Sequence, residues 1–358
     1  MAMDIQQMLG YVVQQDASDL HLICGVYPAI RKHGALQPVP GSEVLTPEVA
    51  ATLIHPLLSP EQKELLNVNK EVDFSYQFGT YGRFRVNVYT QKGLLSAALR
   101  LIPTKIKTLD ELNLPQICHE FAKMRQGLVL VTGPTGHGKS STLAAIIEEI
   151  NQTRAENILT IEDPIEFVYT PMKSIISQRE LHADTHSWDI ALRSALREDP
   201  DVVLVGEMRD YETIASTITV AETGHLVFAT LHTNSASQSV DRMIDVFPAG
   251  QQGQIRSQLA LSLQAVVSQR LIPSQKGGRV VAVEIMLANT AIRNLIREGK
   301  AFQIDNVIQT GSEAGMISLE ASLAQHVLAG TLTIEKALEY AQRPDDLYKL
   351  AGLHSGTA

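Results

Sequence analysis

The run Gly133-Pro134-Thr135-Gly136-His137-Gly138-Lys139-Ser140 has the spacing Gly-x4-Gly-Lys-Ser. That spacing suits phosphate. Glycines let backbone N–H groups converge on anionic oxygens, the Lys139 ammonium supplies charge at the β- and γ-phosphates, and the Ser140 hydroxyl can hold Mg2+. Every residue from Gly133 through Ser141 is therefore a candidate contact for ATP. The loop follows an apolar run, residues 128–131, and precedes a helical pattern, residues 141–150. It would thus open a helix whose N-terminus favours anions.

Phosphate chemistry also needs a carboxylate at a neighbouring strand end, to hold the metal through water. Val202-Val203-Leu204-Val205-Gly206-Glu207 supplies one. Four apolar residues and an acid are alone an ordinary strand end, but following a phosphate loop they read as its acidic partner, Glu207. Between the two lies Thr160-Ile161-Glu162-Asp163-Pro164-Ile165-Glu166, three carboxylates in five residues around a proline. Without its neighbours this segment would read equally well as a solvated turn.

These groups need a scaffold. Residues 128–131, 158–161, 202–205 and 226–228 are short apolar runs alternating with helical patterns, the mark of a mostly parallel sheet. After about Gly250 the pattern turns helical, with Ile255, Leu259, Leu263, Val266 and Val267 spaced for one buried helix face. The first hundred residues mix helical patterns with alternating strands, such as residues 73–78 and 84–89, and read as a smaller α/β domain. The expected organisation is an N-terminal domain over residues 1–101, a proline-marked linker over 102–120 and an ATPase domain over 121–358.

Composition narrows the partners. The 358 residues are 44% hydrophobic, and 30 basic against 39 acidic side chains give a net charge of −9. No basic run stands out, which argues against nucleic acid as the main partner. No apolar stretch approaches the roughly 18–20 residues of a membrane span, and Asp4, Gln6 and Gln7 break any signal-peptide pattern, so a cytoplasmic protein is expected. Cys24 and Cys118 are too few for a four-cysteine zinc site and are expected to be buried thiols.

In order along the chain, the phosphate loop, the acidic segment 161–166, the strand ending in Glu207, and Gly224-His225-Leu226-Val227-Phe228-Ala229-Thr230-Leu231-His232 resemble four boxes of one family. These are the Walker A, Asp, Walker B and His boxes of the secretion ATPases that serve type II secretion and type IV pili. Ala17-Ser18-Asp19-Leu20-His21-Leu22 and Ala291-Ile292-Arg293-Asn294-Leu295-Ile296-Arg297-Glu298 extend the resemblance over nearly the whole chain. The fold it implies is α/β, a RecA-like P-loop ATPase domain with a smaller N-terminal PAS-like α/β domain.

The resemblance further implies that Glu166 polarises the attacking water, that Glu207 is the Walker B acid, and that His232 stands near the γ-phosphate. It implies a homo-hexamer with shared active sites, in which Arg85 and Arg100 reach a neighbouring subunit; an ordinary surface salt bridge competes for both. Arg193, Arg197, Arg209 and Arg242 read as sensors or as salt-bridge partners. His137 departs from the serine usual at its position, leaving the glycine, lysine and serine ligands intact. The missing four-cysteine insertion favours the branch that retracts pili over the branch that extends them. The partners then implied are a PilC-like inner-membrane platform protein and a PilU-like paralogue. An accessory, PilU-like role for the chain itself and a RecA-like DNA-dependent ATPase are the alternatives. In residues 291–298, helical spacing groups Ile292, Leu295 and Ile296 on one face and leaves Arg293 and Arg297 for a partner.

Overall fold

The computed structural model describes residues 3–32, 34–79, 81–102 and 105–353. Met1 and Ala2, and Pro103 and Thr104 of the expected linker, lie outside the described residues. Backbone packing separates two units: Met1–Lys105 with Pro164–Val168, and Ile106–Asp163 with Tyr169–Ala358.

In the first unit, Asp4 and Gln7 form a capping box that starts helix α1 (Ile5–Gln14). Strands β1 (Asp19–Leu22), β2 (Ala29–Lys32) and β3 (Ala35–Pro38) follow, then helices α2 (Pro47–Ile54) and α3 (Pro60–Asn69). Strands β4 (Glu71–Phe78), β5 (Gly82–Gln91) and β6 (Leu94–Ile102) complete an antiparallel sheet of order β3-β2-β1-β6-β5-β4. Side chains alternate across a strand, so Phe84, Val86 and Val88 of β5 enter the core while Arg85 faces the other way. That core also takes Leu9 and Val12 from α1 and Ala50 and Ile54 from α2.

The second unit runs through α4 (Ile117–Lys123), β7 (Gly127–Thr132), α5 (Lys139–Thr153), β8 (Asn157–Glu162), β9 (Ile175–Glu180) and α6 (Trp188–Ala195). It continues with β10 (Val202–Val205), α7 (Tyr211–Glu222), β11 (Leu226–Leu231), α8 (Ala236–Asp245), α9 (Ala249–Ser262), β12 (Leu263–Pro273) and β13 (Arg279–Leu287). Helices α10 (Thr290–Glu298), α11 (Ile304–Thr310), α12 (Leu319–Leu328), α13 (Ile334–Leu338) and α14 (Pro344–Leu350) close the chain's described part. The sheet order is β13-β12-β7-β11-β10-β8-β9, parallel throughout except for β13 against β12. Every residue of β7, β10 and β11 is buried, which explains their largely apolar sequences.

Two expectations need correction. Helix α9 carries Ile255 and Leu259 but stops at Ser262, and Leu263, Val266 and Val267 belong to strand β12. A strand buried on both faces carries apolar residues at adjacent positions as well as alternate ones, so a few of them match helical spacing by accident. Cys118 is buried as expected, whereas Cys24 is only partly so.

Candidate functional site

The phosphate loop leaves β7 at Thr132 and enters α5 at Lys139. Gly133 has φ 139°, and a Cβ there would stand 2.5 Å from the Gln269 carbonyl oxygen of β12, so glycine is required. Gly138, the N-cap of α5, has φ 84°, and its added Cβ would lie 3.1 Å from Gln269 Nε2. At Gly136 an added Cβ would meet nothing within 4 Å. The loop is thus packed on one side and open at its apex. Lys139 is only 8% exposed, and its Nζ donates to the carbonyl oxygens of Gly133 at 2.9 Å and Pro134 at 3.1 Å.

Glu207 follows β10 and His232 follows β11, so both emerge at the carboxyl edge of the sheet, beside the loop that follows β7. Open α/β sheets bind ligands at this edge. Thr135 Oγ1 lies 3.5 Å from His232 Nδ1, and His232 Nε2 lies 3.4 Å from Glu207 Oε2. One neutral tautomer serves both contacts, with Nε2–H donating to the carboxylate and Nδ1 accepting from the hydroxyl. Arg209 Nη2 pairs with Glu207 Oε1 at 2.7 Å, and Arg242 donates to the Arg209 carbonyl, so two of the flanking arginines organise the acid. Arg193 instead pairs with Asp189 within α6.

Several participants carry no sequence signal. Gln269 is fully buried on β12; its Nε2 donates to the His137 carbonyl and its Oε1 accepts from Thr142 of α5. Arg270 Nη2 donates to the carbonyl and Oδ1 of Asn234, two residues past His232. Glu284 of β13 accepts from the Ala236 N–H at the start of α8, and burial, with Asp305 and Glu320 nearby, pushes its carboxyl up to about 7. A lone glutamine or arginine on a strand says nothing of such contacts until the strand has neighbours.

The remaining candidates belong to other segments of the chain. Glu166 belongs to the segment Pro164–Val168, which groups with the first unit, whereas the phosphate loop, Glu207 and His232 belong to the second. Arg85 and Arg100 are direct cross-strand neighbours on β5 and β6. Arg85 pairs with Asp73 at 2.6 Å, and Arg100 pairs through Nε with Asp19 at 2.9 Å while its side chain stays 72% exposed. Burial raises the Asp19 carboxyl, but the Ser18 hydrogen bond and Arg100 outweigh it and hold the group below its ordinary range.

In α10, Ile292 and Ile296 are buried and Leu295 packs beside them, as the spacing implied. Arg293 is not available to a partner. It donates from Nη1 to the carbonyls of Ala260 and Leu261 at 2.5 and 2.9 Å and from Nη2 to Gln264 Oε1, clamping the junction between α9 and β12. The last carbonyls of a helix lack partners within it and draw such a cation. Arg297 is exposed and, among the described residues, its side chain bonds to Asn294 in its own helix.

The family model described as Type II/IV secretion system protein matches residues 83–277, more than half the chain. The chain belongs to this family. Among secretion-system relatives, the type IV pilus retraction ATPase PilT of Pseudomonas aeruginosa is 47% identical, with 96% of this chain and 100% of the relative covered. The type IV pilus ATPase PilU of the same organism is 37% identical, over 99% of this chain and 92% of the relative. A crystal structure of the pilus retraction motor PilT with bound ADP superposes with a TM-score of 0.91 at 44% identity, covering 97% of this chain and 99% of that one. The secretion-family α/β fold expected from sequence is therefore present.

Proposed function

We propose that this chain is an ATP-hydrolysing motor that works as a ring of six identical subunits and powers retraction of type IV pili. The observation that carries the proposal is the line Thr135–His232–Glu207 at the sheet's carboxyl edge, in a chain like the retraction ATPase along nearly its whole length. The lower identity to PilU makes an accessory role the second choice. The acidic balance of −9 counts against a DNA-tracking ATPase.

The open apex at Gly136 and the α5 N-terminus suit the phosphates of ATP. Gly133 through Ser141 hold these oxygens, with Lys139 exchanging its loop carbonyls for the β- and γ-phosphates. Mg2+, held by the Ser140 hydroxyl and through water by Glu207, would neutralise charge on the bridging and terminal oxygens. Glu166 accepts a proton from the water whose oxygen attacks the γ-phosphorus as the bond to the β-phosphate oxygen breaks. His232, between Thr135 and Glu207, couples the two phosphate-facing loops. Arg85 and Arg100 serve a neighbouring subunit's site, where an arginine supplied in trans is worth roughly 10³–10⁵ in rate. The motor works on the cytoplasmic side of the inner membrane, on a PilC-like platform protein and beside a PilU-like paralogue. Among the described residues, no helix is long and apolar enough to cross a membrane. Residues 1–101, 102–120 and 121–358 are the proposed domain, linker and ATPase domain.

Glu166→Gln is expected to keep ADP binding while reducing turnover at least ~10²-fold, the cost of losing a general base. Lys139→Ala should lose the binding itself. Calorimetry and phosphate release on the purified rings check both, and near-normal hydrolysis by Glu166→Gln would remove that residue from the role.

Sharing of sites is tested by mixing Lys139→Ala with Arg100→Ala subunits. Hybrid rings should hydrolyse ATP faster than the sum of the two inactive parents, because some interfaces join an intact loop to an intact arginine. Activity no greater than that sum, at every mixing ratio, counts against Arg100 in trans.

Arg293 and Arg297 now separate. Arg297→Ala touches no phosphate contact and should leave ATP hydrolysis within about two-fold while abolishing twitching in cells, as surface changes away from structural contacts are nearly neutral for stability. Arg293→Ala should also lower the melting temperature, because it uncaps α9. Normal twitching by an Arg297→Ala strain at normal protein level would sink the assignment.

A further inference from the structure

Strand β7 ends before its neighbour does. β12 pairs with β7 in parallel up to Ser268 opposite Thr132, where the two hydroxyls meet at 2.6 Å, but β12 continues to Pro273. On its other side β13 stays paired with it, through Gln269 opposite Val283, Arg270 opposite Ala282 and Leu271 opposite Val281. On the β7 side these three residues have lost their strand partner, and the phosphate loop takes its place. A half-buried backbone N–H that has lost its strand acceptor still needs one, and the loop is the element at hand to supply it.

His137 supplies it. The Leu271 N–H donates to His137 Nδ1 at 3.1 Å, while Gln269 Nε2 donates to the His137 carbonyl at 2.6 Å. Gln269 has only one productive orientation: its NH2 must face the His137 carbonyl, which leaves Oε1 for the Thr142 hydroxyl at 2.9 Å. Residue 137 is therefore gripped at both its ring and its peptide, directly before the left-handed Gly138 and Lys139. An imidazole that accepts at Nδ1 carries its proton on Nε2 and is neutral. Burial first, then Arg270, Lys139 and Arg279, push its pKa down and keep it so.

We propose that His137 and Gln269 are positioning residues, which hold the phosphate loop in its nucleotide-binding shape by tying it to β12. Neither side chain need touch the nucleotide. The ties set the direction of the peptide that enters α5, and with it where the Lys139 N–H and ammonium stand. This reading rests on the proposed ATP site and adds to it a brace formed by a side chain of the loop itself.

The test uses the full-length, assembled protein, with ADP as the calorimetric ligand and ATP in steady-state kinetics. His137→Leu keeps similar bulk and removes the acceptor; His137→Asn places Oδ1 where Nδ1 stands and restores it. Gln269→Glu keeps the acceptor for Thr142 but cannot donate to the His137 carbonyl. Leaving one buried donor or acceptor unpaired predicts about a ten-fold rise in the ADP Kd and in KM for ATP, in His137→Leu and in Gln269→Glu. The fall in kcat should be smaller, and His137→Asn should recover most of the loss. Unchanged Kd and KM in His137→Leu, or equal impairment in His137→Asn, overturns the brace. If the wild-type protein fails to bind ADP, the proposed function fails instead, so the two failures are distinguishable.

Discussion

The phosphate loop has no strand of its own, and it keeps its shape because it lies against β12. The contact is tight enough to exclude a methyl group, since an added Cβ on Gly133 would meet the Gln269 carbonyl at 2.5 Å. From that contact much of the site follows. Gln269 reaches around to Thr142 in the helix that opens at Lys139, and Arg270 next to it fixes Asn234 beyond His232. One strand thus supports both the glycine-rich loop proposed to face the phosphates and the loop that carries the histidine.

The same strand connects two regions that sequence leaves unrelated. Its first residue follows the end of α9, where Arg293 grips two carbonyls and Gln264, and its later residues back the phosphate loop. The helix bearing the motif at 291–298 is therefore fastened to the strand that supports the proposed nucleotide site. Of the two arginines there, Arg297 is the one left exposed, which is why the proposed division between hydrolysis and work falls between two arginines one turn apart.

Much of this was legible in the sequence because its signals are local. A glycine-rich run between an apolar strand and a helix, or an acid at a strand end, needs no distant partner to be recognised, and β7, α5, β10 and β11 lie where those signals put them. What failed was whatever depends on a partner far along the chain. Leu263, Val266 and Val267 fit a helix stripe, and only pairing with β7 and β13 makes them a strand. Arg293 read as a surface charge because its acceptors lie about thirty residues earlier. Gln269 gave no signal, since one glutamine between a serine and an arginine forms no pattern. His137 was visible as a departure, but the N–H it satisfies belongs to Leu271.

In the proposed motor, ATP turned over at this site is what withdraws the pilus. Retraction of single labelled pili can be timed in cells whose only copy of the gene carries Glu207→Gln, with ADP binding verified on the purified protein. Pili are expected to extend and then stay extended, while a wild-type copy restores withdrawal. Retraction at normal speed and frequency with no hydrolysing copy present would contradict it.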